Sequence, residues 1–69
     1  MTNEEPNVLH QVQQLLTDRQ WDVWVLHHGA GHTYAQIADL LGITPQTAHA
    51  HHHAATRRIE RHFRARVAP

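Results

Sequence analysis

The sequence predicts an all-α fold: a small four-helix domain containing a helix-turn-helix and ending in a long carboxy-terminal helix. Three observations predict it. Apolar residues recur at helical spacing, as in Val8, Leu9, Val12, Leu15 and Leu16. Two Thr-x-x-Gln capping boxes, Thr17 to Gln20 and Thr33 to Gln36, mark helix starts. Gly42-Ile43-Thr44-Pro45 then combines a helix stop with an immediate restart, since glycine suits the left-handed C-cap and proline at a first helical position needs no donor.

Taken in order, residues 1 to 4 are expected to fray, and Pro6 suits the first turn of helix one with Glu4 and Glu5 nearby. That helix ends near Leu16. Helix two starts at Asp18, with Leu16 and Trp21 at the two positions of a hydrophobic staple. From Val23 to Leu26 it is apolar on nearly every side, as in a scaffold helix with several neighbours, until Gly29-Ala30-Gly31 stops it. Trp21 is assigned to the staple, the alternative being a surface anchor for a partner or a second copy.

Helix three runs from about Tyr34 to Leu41, with Ile37, Ala38 and Leu41 on one face. Helix four runs from Pro45 to beyond Phe63, roughly 20 residues or ~30 Å. Its inward stripe is Ala48, His52, Ala55, Ile59 and Phe63, so a histidine interrupts a core stripe. His52 is expected to be neutral, hydrogen-bonded and partly buried, and to make the domain less stable at acid pH. Ala38, Gly42 and Ala48 supply the small side chains and left-handed turn that two closely crossing helices require.

Sixty-nine residues make one domain, 1–69 with its helix-turn-helix core at 33–58, near the lower limit for folding on a single core without cross-links. The absence of cysteine excludes disulfides and thiolate zinc sites. Glu4, Glu5 and the lack of an apolar run argue against a signal peptide, and no stretch approaches transmembrane length. A cytoplasmic location without membrane contact is the expectation. Neither serine nor cysteine is present as a nucleophile, and no glycine-rich phosphate loop occurs, so no enzyme and no cofactor are expected.

The second helix of a helix-turn-helix is a candidate for the DNA major groove. The formal net charge of zero hides a dipole. Residues 1 to 46 carry Arg19 against Glu4, Glu5, Asp18, Asp22 and Asp39, a balance of −4, while residues 47 to 69 carry five arginines against Glu60, a balance of +4. The basic charge therefore lies on helix four, where a phosphate backbone would be met. The alternative is that Arg57, Arg58, Arg61, Arg64 and Arg66 only solvate a terminal helix.

Leu16, Arg19-Gln20, Val23, Leu26, Gly29, Gly31, Tyr34-Ala35-x-Ile37-Ala38, Leu41-Gly42-Ile43-Thr44 and Thr47-Ala48 carry a resemblance. Over residues 16 to 59 the chain resembles region 4, the carboxy-terminal promoter-binding region of bacterial sigma factors, and more broadly the sigma/LuxR-type DNA-binding domain. Tyr34 to Ile43 is similar to the sigma branch, and Thr47-Ala48-His49-Ala50-His51 to the LuxR-type branch. The resemblance implies that helix four enters the major groove and that another surface can contact the flap of RNA polymerase. It implies base reading by Pro45, Gln46, His49, Ala50 and His53, and phosphate contacts from Thr44, Thr47, Arg57, Arg58 and Arg61. Two departures accompany it: no strand-opening region is present, so the chain is not expected to be a complete sigma factor, and histidine and alanine stand where lysine, arginine and leucine are usual. Neutral histidine lacks the bidentate guanine contact of arginine, so weak sequence preference is expected.

His49, His51, His52 and His53 form a cluster. His49 and His53, one turn apart, are two ligands and not a closed zinc site; metal binding there is the lesser alternative to no metal. A pH-sensitive DNA contact and compositional drift are the others. The leading expectation is a small stand-alone DNA-binding transcriptional regulator, helped by RNA polymerase, a sigma factor or formation of a homodimer; such a domain suits a phage or mobile element. The alternative from a different class is a protein-interaction module of the same fold that does not read DNA.

Overall fold

A computed structural model describes residues 8–67, with side chains up to residue 65, so the expectations for residues 1–7 and the side chain of Arg66 lie outside the described residues. The order is α1 (Val8–Leu15), α2 (Asp18–Trp24) continued by a π-helical turn (Val25–Gly29), α3 (Tyr34–Leu41) and α4 (Pro45–Val67). Both capping boxes form: the Thr17 and Thr33 hydroxyls accept from the backbone N–H of Gln20 and Gln36, whose side chains accept from the threonine N–H groups in return.

Two points correct the expectation. The apolar face of α1 is only partly used: Val12 and Leu16 are buried, while Val8 and Leu9 are 56% and 59% exposed. Helix two does not stay α-helical to its end, because the Ala30 N–H bonds back five residues to the Val25 carbonyl at 3.2 Å. Adjacent α-helical residues point about 100° apart; in this turn His27 and His28 both reach His52, with ring centroids 4.7 and 4.9 Å away.

Gly42 ends α3 in the left-handed region at φ 69°, and its N–H and that of Ile43 both bond to the Ala38 carbonyl. A Cβ there would meet nothing within 4 Å, so the backbone conformation alone selects glycine.

α4 packs against α1, α2 and α3. Two small cores lie along it, each centred on a fully buried alanine. Ala48 joins Val23 and Ile37, flanked by Leu26, Tyr34, Leu41 and Ile43; Ala55 joins Val12 and Leu16, flanked by Trp21, Trp24, Ile59 and Phe63. Leu16 and Trp21 thus meet in one cluster, as a staple requires. Among the described residues no helix is long and apolar enough to cross a membrane.

Candidate nucleic-acid interface

Thr44 begins α4. Its hydroxyl accepts from the Thr47 N–H at 3.0 Å and donates to the Thr47 hydroxyl at 2.8 Å. The Thr44 proton is thereby committed inside the cap, while Thr47 retains its own proton for an outside acceptor.

Pro45, Gln46, His49, Ala50 and His53 are all exposed. At about 100° per residue they fall within an arc of about 140° on α4, opposite the buried Ala48 and Ala55. Exposed Arg57, Arg61 and Arg64 continue that arc toward the carboxy terminus, with Glu60 among them, around a shallow surface depression. Arg58 lies to one side: its Nε donates to the Leu15 carbonyl at 2.8 Å, leaving the two terminal guanidinium nitrogens as its share for phosphate.

Behind the arc lies a group of imidazoles around Tyr34. The Tyr34 hydroxyl bonds to His52 Nδ1 at 2.9 Å, and His52 Nε2 faces His28 Nε2 at 2.8 Å, so one of those two nitrogens carries a hydrogen and the other a lone pair. His27 Nδ1 donates to the His32 carbonyl at 3.0 Å, which fixes its tautomer. Burial first, and the neighbouring charge of His27 second, hold His28 below the ordinary imidazole range. Burial also leads for His52, followed by His27, His28, His49 and His53. His52 is therefore the partly buried, hydrogen-bonded, neutral side chain expected of its place in the stripe.

His49 and His53 stack one turn apart with centroids 6.3 Å apart and planes 12° from parallel. Among the described residues no three histidine or carboxylate side chains gather into a group able to hold a metal ion. Trp21 lies partly buried, stacked on Trp24 at 6.2 Å, and with Leu9 the pair lines an apolar groove between α1 and α2.

Sequence reasoning missed the roles of Tyr34, His28 and Arg58. Their partners lie 18, 24 and 43 residues away, beyond any local periodicity. The one available signal was that a histidine in a core stripe needs polar partners from a facing element.

No curated protein and no solved structure matches the chain. The family model for sigma-70, region 4 matches residues 14–61, which span the end of α1, both capping boxes, the helix-turn-helix and α4 as far as Arg61. The chain therefore belongs to the sigma-70 region 4 family of DNA-binding helix-turn-helix domains.

Proposed function

We propose that the chain is a DNA-binding regulator of transcription that acts as one domain and places α4 in the major groove. The observation that carries this reading is the exposed arc: Pro45, Gln46, His49, Ala50 and His53 share one face at the start of α4, and Arg57 and Arg61 follow on it. Gln46, His49 and His53 are the polar base-reading groups. Pro45 and Ala50 offer small apolar surface suited to a thymine methyl.

Phosphate is met by the Thr47 hydroxyl, the Gln46 N–H in the first turn of α4 and the guanidinium groups of Arg57 and Arg61. Arg58 contributes through its terminal nitrogens alone. With imidazoles in place of arginines on the reading face, base contacts are few, and RNA polymerase or a sigma factor supplies the remaining affinity. The Leu9, Trp21 and Trp24 groove favours such a protein contact on a second face. A homodimer would serve the same end.

The test is a titration of a random-sequence duplex pool at low and moderate salt, with and without chelator, followed by sequencing of the bound fraction. Binding that weakens with salt, ignores chelator and enriches a motif supports the reading. No binding even at low salt contradicts it and leaves the protein-interaction module.

A further inference from the structure

Tyr34 opens α3, yet its side chain meets three imidazoles from two other elements. Its ring lies flat on His27, with centroids 4.8 Å apart and planes 9° from parallel. Its hydroxyl is bonded to His52 Nδ1. The imidazole of His49 stands perpendicular to the same ring, at 5.1 Å and 83°.

His49 is exposed within the reading arc. An exposed histidine ordinarily moves among its staggered rotamers on a fast timescale. Here the ring is held on two sides, by Tyr34 across and by His53 one turn along. Tyr34 is itself held: His27 beneath it is anchored to the His32 carbonyl, and His52 beside it is bonded to His28. A continuous set of contacts thus runs from the π turn through Tyr34 to the reading face.

We propose that Tyr34 is a positioning residue for base reading: its ring fixes the imidazole of His49 in the orientation that meets the groove, and its hydroxyl ties that orientation through His52 to the scaffold helix. The proposal rests on α4 being the recognition helix. An imidazole N–H that enters the major groove can be accepted by purine N7, guanine O6 or thymine O4. The base opposite His49 is accordingly one that offers such an acceptor, chosen through a side chain that Tyr34 holds still.

The test compares the wild type with Tyr34→Phe and Tyr34→Leu. In the wild type, proton NMR should show a nuclear Overhauser contact between the Tyr34 and His49 rings, and its absence overturns the proposal whether or not any variant folds. Tyr34→Phe keeps the ring but loses the tie to His52 and should reduce the base preference less than Tyr34→Leu does. Tyr34→Leu should reduce the preference at one base position about fivefold or more, while affinity for random duplex stays within about twofold because the phosphate contacts are untouched. A residue of purely structural importance would instead lower affinity for all sequences alike, together with the melting temperature. A motif that survives Tyr34→Leu unchanged overturns this proposal alone. A wild type that enriches no motif overturns the recognition reading and the proposal with it.

Discussion

The Nε of Arg58 donates to the backbone carbonyl of Leu15 at 2.8 Å, joining the middle of α4 to the last residue of α1. That carbonyl belongs to the last turn of a helix, where no intrahelical partner exists. Arg57, its neighbour, lies on the reading arc instead. Two adjacent arginines of one charge run therefore have separable duties.

Arg58→Ala should destabilise the domain by about 1 kcal/mol, a drop in melting temperature of about 4–8 °C for a chain of this size. Arg57→Ala should leave the melting temperature in place, weaken binding to all duplexes alike and reduce the salt slope by about one. Thermal melts and salt-dependent anisotropy titrations on the two single variants separate the effects.

Stability should fall with acidity in a defined window. His28 and His52 are held below the ordinary imidazole value of 6.5 in the folded chain. As pH drops through that value the unfolded chain takes up protons that the folded chain still refuses, so stability present above the window is lost within it and levels off below the folded values. Urea melts from about pH 7.5 to about pH 5 should show the decline. His52→Gln should flatten it.

The two buried alanines set how closely α4 approaches its neighbours. Ala48 and Ala55 are fully inaccessible, so Ala48→Leu should cost about 1–3 kcal/mol through overpacking. Ala50→Leu, on the exposed side of the same turn, should change stability by no more than about 0.5 kcal/mol. Urea denaturation midpoints of the two variants give the comparison.

Gly42→Ala should cost about 1–2 kcal/mol, the strain of a Cβ in left-handed backbone, because φ is 69° and no neighbour obstructs the added methyl. Gly42→Asn should cost less, since asparagine tolerates that conformation. Equal losses in the melting temperatures of both variants would locate the cost elsewhere.

Features governed by local rules were legible in the sequence. Thr17, Thr33, Gly42, Thr44 and Pro45 bracketed α2, α3 and the start of α4, because caps and turns act over three or four residues. The stripe from Ala48 to Phe63 followed from the helical period, and with it the partly buried place of His52. Tertiary choices were not legible. Val8 and Leu9 fit the period of α1 as well as Val12 does, yet only Val12 is covered. The π turn at Val25–Gly29 has no distinctive spacing, and whether Arg58 turns to phosphate or to Leu15 depends on where α1 docks. The positions that the resemblance names for base reading could be given one by one; the contact of Tyr34 with His49 arises only once α3 and α4 are packed together.

Contact with DNA through α4 can be observed directly. The most direct measurement is the change in backbone amide shifts of the nitrogen-labelled protein on addition of a duplex selected from the random pool. The largest changes are expected from Thr44 to His53, with further changes at the guanidinium signals of Arg57 and Arg61. Changes confined to the α1 and α2 face around Leu9, Trp21 and Trp24, with α4 undisturbed, would contradict it.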